Sequence, residues 1–127
     1  MRFLLDTHVW LWLQTDPDRL APEALEALED QSNDLLLSAA SSWEIAIKVA
    51  LGKLDLPEPP EEYVPDRMLR HGVIGLPVEH RHALAVSALP MHHRDPFDRL
   101  LIAQAKEEDL AIVTADPSFG HYDVSLL

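Results

Sequence analysis

Apolar residues in this chain fall into short unbroken runs, and longer stretches of helical period separate them. Residues 2–5, 35–37 and 111–114 have the length and apolar content of buried strands, and each is followed within two residues by a polar or acidic residue where the period changes. After the first run the pattern becomes helical through residues 8–14, until Asp16-Pro17-Asp18 breaks it. Pro22 opens an amphipathic helix with Leu25 and Leu28 on one face and glutamates on the other, and Asn33-Asp34 ends it. The second run feeds a helix over residues 38–51, stopped by Gly52 at a C′ position.

The middle of the chain is less regular. Four prolines between residues 57 and 65 predict a loop, followed by a helix over 66–71 and a strand over 73–78 that Pro77 confines to an edge or an end. A short helix over 79–88 and a loop over 90–94 come next. The remaining expectations are a helix over 95–108, the strand 111–114, a helical turn over 116–120 and a last strand over 124–127. Strands that alternate with helices imply β-α-β crossovers and a parallel sheet covered on both faces, so the class is α/β. No repeat or composition shift marks a boundary, and residues 1–127 read as one domain.

Four carboxylates occupy strand-to-helix junctions: Asp6, Glu44, Asp98 and Asp116. Each has a plain structural explanation. Asp95-Pro96-Phe97-Asp98 is a helix start with Asp95 as the cap, and Ser41-Ser42-Trp43-Glu44 matches a capping box. Asp6 and Asp116 are placed to cap as well. Topology alone gathers such caps at the carboxyl edge of a parallel sheet. It does not require the strands before Asp6 and Asp116 to be neighbours, with Glu44 and Asp98 beside them. If they are, the acids surround the crevice where strand order reverses.

Crowded carboxylates repel and raise one another's pKa values, and a hard cation such as Mg²⁺ or Mn²⁺ removes that conflict. Such a site activates water and clamps a phosphate oxygen, which is the chemistry of phosphodiester hydrolysis.

Composition changes this picture in three places. With 47% hydrophobic and 25% charged residues the chain is an ordinary globular one, and no window approaches the ~18–20 apolar residues of a membrane span. Asp6 and His8 interrupt the apolar start and no cleavage site follows, so the expected location is the cytoplasm. The absence of Cys excludes disulfides and thiolate metal sites. Ten Lys and Arg against 22 Asp and Glu leave a formal charge of −12, which excludes a generic basic nucleic-acid binder. The His80-Arg81-His82 and His92-His93 spacings do not match zinc motifs, and His92 and His93 read as loop residues. Trp10, Trp12 and Trp43 read as core, with Trp12 also able to feed a dimer or partner face.

The segments LLDTHVWLW, SAASSWEIAIKVALGKL, HRDPFDRLLIAQA and AIVTADPSF together resemble the PIN-domain ribonucleases, specifically the VapC-type toxins of toxin-antitoxin pairs. The resemblance spans essentially the whole chain. It implies a three-layer α/β/α fold around a central parallel sheet, Mg²⁺ or Mn²⁺ dependence, and endonucleolytic cleavage of RNA to a 5′-phosphate and a 3′-hydroxyl. It also implies a cognate antitoxin and a homodimer as partners. By motif position Asp6, Glu44, Asp98 and Asp116 are the catalytic acids, with Asp6 and Asp98 as direct metal ligands and Glu44 and Asp116 acting through water. Thr7, Lys48, Arg94, Arg99 and Thr114 are candidate substrate contacts, each with a local structural alternative.

Two other functions fit an acidic α/β chain. A receiver-like signalling domain needs an acidic pair after its first strand, whereas Asp6 stands alone. A non-catalytic binding module would keep the acids only as caps.

Overall fold

The two hydrophobic periods of the sequence become two kinds of element in the computed structural model, which describes residues 1–127. In chain order these are β1 (Arg2–Leu5), α1 (Thr7–Thr15), α2 (Pro22–Glu29), β2 (Asp34–Ser38), α3 (Ala39–Ala50), α4 (Pro60–His71), β3 (Ile74–Leu76), α5 (His80–Ala85), α6 (Pro96–Glu108) and β4 (Ala111–Val113). Three 3₁₀ turns, Pro17–Arg19, Val86–Ala88 and Pro117–His121, complete the path. No helix is long and apolar enough to cross a membrane.

All four strands are parallel, in the order β3-β2-β1-β4. Phe3 pairs with Leu35 on one side and with Ala111 on the other. Side chains on a strand alternate between faces, so both faces of these apolar runs must be covered. Phe3, Leu5, Leu35, Leu37 and Val113 join one core cluster with residues of α1 to α4, including Trp10, Ile45 and Tyr63. Leu4, Leu36, Leu76 and Ile112 join the other with Leu101, Ile102 and Ala105 of α6 and with Phe119 and Tyr122. Helices on both faces of one parallel sheet make the three-layer α/β/α arrangement.

Strand order determines where a site can form. The chain moves outward from β1 to β2 to β3, then crosses to β4 on the far side of β1. The strand order therefore reverses beside β1, and the carboxyl ends of β1 and β4 open into the crevice expected at such a point.

Helix ends follow local chemistry. At the end of α3, Gly52 has φ 72°, its N–H donates to Val49 O at 3.1 Å, and Lys53 N–H donates to Lys48 O at 2.9 Å. This is the paired C-terminal closure that a left-handed glycine permits.

Two expectations are corrected. First, α4 starts at Pro60 instead of residue 66 and contains Pro65. Pro60 suits the first turn, where no N–H is needed, and the buried pair Tyr63 and Val64 anchors the helix despite the hydrogen bond that Pro65 cannot make. Second, residues 124–127 form a single parallel bridge, Ile112↔Leu126, and not a strand. Only Ile112 N–H to Ser125 O and Leu127 N–H to Ile112 O, both 2.9 Å, tie the tail to β4.

Candidate functional site

The four acids lie around that crevice, and local hydrogen bonding separates capping from the rest. Asp6 occupies the N-cap position of α1 but makes no side-chain cap bond. Its backbone N–H donates to Val113 O at 3.0 Å, which ties β1 to β4 at this edge. Thr114 Oγ1 donates to Asp6 Oδ2 at 2.8 Å, and Asp6 Oδ1 is buried without a partner. Glu44 is not part of a capping box at Ser41. Ser38 caps α3 instead, accepting from Ala40 N–H at 3.0 Å, so Glu44 lies well inside the helix. Its Oε2 is 2.9 Å from Lys48 Nζ, and its Oε1 is buried without a partner.

Residues at the start of α6 divide the work in the same way. Asp95 Oδ1 accepts from the N–H groups of Phe97 at 2.8 Å and Asp98 at 3.3 Å, which makes Asp95 the cap. Asp98 is thereby released from capping. Its Oδ2 lies 2.9 Å from His93 Nε2, which is also 3.5 Å from Asp116 Oδ2. Asp116 serves two purposes. Its Oδ1 accepts from the N–H of Ser118 at 2.9 Å and from the hydroxyl of Ser118 at 2.7 Å, and its Oδ2 faces His93.

The electrostatics match this crowding. Burial pushes the Asp98 carboxyl up to about 8, reinforced by Asp6, Asp95, Glu44 and Asp116 in that order. Asp6 is also raised, chiefly by burial, with the Thr114 hydrogen bond and His8 opposing and Glu44 and Asp116 adding repulsion. Asp116 moves the other way. Burial alone would raise it, but the Ser118 hydroxyl and N–H, together with nearby His93, hold it below the usual carboxylate value.

The candidate substrate contacts separate on burial. Thr7 is buried and donates to Ser41 Oγ at 2.8 Å, so its hydroxyl links α1 to α3 and does not reach solvent. Arg99 is also buried. Its guanidinium donates to Pro90 O at 2.9 Å, Val86 O at 3.2 Å and Tyr122 Oη at 3.3 Å, and so braces the loop before α6 from inside. Thr114 is spent on the site itself, donating to Asp6 and accepting from Asp116 N–H at 3.0 Å. Lys48 pairs with Glu44, and Arg94 remains exposed. A cavity of about 260 Å³ lined by Glu44, Lys48, Lys53, Asp95 and Phe97 opens beside the acids.

Two features were not legible in the sequence. Trp43 is 62% exposed, contrary to the core reading, and stacks edge-on against Phe97 at 5.2 Å next to this cavity. Trp10 is core as expected, and Trp12 is half-buried under the guanidinium of Arg19 at 4.3 Å. His93, read as a loop residue, lies in the loop but is directed into the acids. His93, Asp98 and Asp116 present ligand atoms within 4.8 Å of one another.

A hard divalent cation suits this donor set. Asp6 Oδ1 and Glu44 Oε1 are buried acceptors without donors, and an unpartnered buried carboxylate oxygen is costly. A carboxyl as strongly raised as that of Asp98 is what an oxygen cage for a cation looks like before its charge is neutralised.

Comparison with known proteins gives a consistent result. Residues 3–125 match the PIN domain family. Ribonuclease VapC22 of Mycobacterium tuberculosis is 32% identical over 114 residues, covering 89% of this chain and 85% of that protein. Ribonuclease VapC16 of the same organism is 53% identical over 68 residues, and this chain spans only 48% of its length. Among solved structures, VapBC2 from Rickettsia felis, bound to a DNA fragment from its promoter, superposes with a TM-score of 0.76. It covers 100% of this chain and 98% of that one at 16% identity, a likeness of fold.

Proposed function

We propose, from the premise that this chain belongs to the PIN domain family and within it to the VapC-type ribonucleases, that it is a divalent-metal-dependent endoribonuclease and the toxin of a toxin-antitoxin pair. The observation that carries the reading is the meeting of Asp6, Glu44, Asp98 and Asp116 at the strand-order reversal, with two buried carboxylate oxygens lacking any donor. Family membership favours this reading over a receiver-like domain, and the orphaned oxygens favour it over a module that keeps its acids as caps.

Asp6 and Asp98 would hold the ion, with Glu44 and Asp116 acting through water. A bound Mg²⁺ or Mn²⁺ supplies charge neutralisation for the phosphate and acidifies water. The rest is done by the chain. Thr114 fixes the orientation of Asp6, and Lys48 holds one oxygen of Glu44. Asp116, kept ionised and oriented by Ser118, is available to accept a proton from the attacking water. Water attack then leaves a 5′-phosphate and a 3′-hydroxyl. The substrate is RNA, the partners are a second copy of this chain and an antitoxin, and the setting is cytoplasmic.

Purified chain incubated with single-stranded and structured RNA in Mg²⁺ or Mn²⁺ tests the proposal. Cleavage should stop with a chelator and fall at least ~100-fold in Asp6→Asn and Asp98→Asn, the scale of losing a charge-stabilising group. If both variants cut RNA as well as the wild type, the assignment is wrong.

A further inference from the structure

His93 enters the site from an irregular loop, and that loop is held from several sides. Tyr122 Oη accepts the N–H of His92 at 3.2 Å and of His93 at 2.8 Å. Arg99 binds the carbonyls before them, and the His93 ring packs edge-on against buried Phe119 at 6.2 Å. Preorganisation of this kind means that the ring orientation is built in and is not a surface accident.

The two ring nitrogens are distinguished by their partners. Asp95 N–H donates to His93 Nδ1 at 3.2 Å, so Nδ1 acts as the acceptor and a neutral ring carries its proton on Nε2. A histidine that binds a metal through Nε2 normally donates a proton from its other nitrogen, and here that proton would point at another N–H. The tautomer therefore argues against His93 as a ligand. Nε2 is buried, 2.9 Å from Asp98 Oδ2 and 3.5 Å from Asp116 Oδ2, with a directed hydrogen bond to neither. It is poised between two carboxylates that belong to different elements. His82 shows the completed version elsewhere in the chain, its Nδ1 accepting from Glu79 N–H at 3.0 Å and its Nε2 lying 2.8 Å from Glu108 Oε1.

We infer that His93 is a positioning residue of the metal site: its Nε2–H is placed to donate to the facing oxygen of Asp98 or of Asp116, and so orients Asp98 with its other oxygen left for the ion, while Ser118 holds Asp116 on its second oxygen. The inference rests on the metal-dependent reading of the site and adds to it a nitrogen donor outside the metal shell. It also makes Tyr122, which touches no carboxylate, part of the same device through the loop it anchors. Removing a hydrogen bond that orients a ligating carboxylate weakens metal binding on the order of 10- to 100-fold.

The test is Mn²⁺ titration by calorimetry on full-length chains, with thermal melting and pulsed electron paramagnetic resonance of bound Mn²⁺. His93→Ala should bind Mn²⁺ at least ~10-fold more weakly, and His93→Gln, which can still donate a proton near the Nε2 position, should recover most of the loss. Tyr122→Phe should weaken binding in the same direction. Wild-type Mn²⁺ should show no nitrogen hyperfine coupling. Nitrogen coupling that disappears in His93→Gln makes His93 a ligand and overturns the inference, as does wild-type affinity in folded His93→Ala. If His93→Ala does not fold, a His93→Gln variant with no better affinity than His93→Leu overturns it equally. A wild-type chain that binds no Mn²⁺ overturns the metal reading as well, which separates that failure from one confined to His93.

Discussion

Asp98 suits the proposed role of metal ligand because it is a poor isolated carboxylate. Burial and four neighbouring acids raise it to about 8, so the metal-free folded chain keeps a proton that the unfolded chain releases near 3.8. Between those values the folded state binds more protons, and stability falls as pH rises. The contribution is complete below about pH 4 and is lost through about pH 8, and Asp6 shifts in the same direction. In chelator, urea unfolding midpoints should therefore drop from pH 6 to pH 9, and Asp98→Asn should flatten the decline because an amide has nothing to ionise. An unchanged slope in that variant would remove Asp98 as the source. Saturating Mn²⁺ should also flatten the decline in the wild type, since the ion takes the place of the proton; at ~100 times its dissociation constant it adds about 2.7 kcal/mol.

The helix starts show why capping and the proposed catalytic role are separable. Asp95→Ala removes the acceptor for two N–H groups of α6 and should cost ~1 kcal/mol in denaturant unfolding while leaving Mn²⁺ affinity nearly unchanged. Asp98→Asn should do the reverse, weakening Mn²⁺ binding without destabilising the start of α6. If both variants lose metal equally, the division between cap and ligand fails. At the other end of α6, Asp109 sits at φ 55°, a left-handed conformation that costs a side chain more than glycine, so Asp109→Gly should gain ~0.5 kcal/mol. These elements also show what sequence can and cannot reveal. β1, β2 and β4 were legible because both their faces are buried, which leaves apolar runs with no alternation. The start of α4 was not, since Pro65 reads as a helix breaker unless Tyr63 and Val64 are known to be buried. Asp6, Asp98 and Asp116 were legible from their junctions, but Glu44 was misplaced at one: Ser38 claims the start of α3, and this leaves Glu44 well inside the helix and free of capping. His93 had no periodic signal at all. Its position depends on Tyr122 and Arg99, residues that only the fold brings to the loop.

Charge is a property of the whole molecule, and at −12 it works against an RNA substrate. Five of the ten basic residues are already occupied. Arg67, Arg70 and Arg81 pair with acids, Arg99 is buried, and Arg19 stacks on Trp12. Near the acids only Lys48, Lys53 and Arg94 are placed to meet phosphates, and Lys48 is shared with Glu44. Single-stranded nucleic acid releases ~0.7 counterion per neutralised phosphate, so three cations predict a slope of about −2 for log affinity against log salt. Fluorescence anisotropy of an RNA oligonucleotide with the Asp6→Asn chain, across a salt series at fixed Mn²⁺, measures that slope. A shallow slope means the ion and stacking surfaces such as exposed Trp43 carry recognition. A slope steeper than about −4 requires cations that one chain does not place near its acids, and in a homodimer these would have to come from the second copy. Repeating the series with Lys53→Ala and with Arg94→Ala identifies the cations involved: each substitution should make the slope shallower by about 0.7 if that side chain neutralises a phosphate.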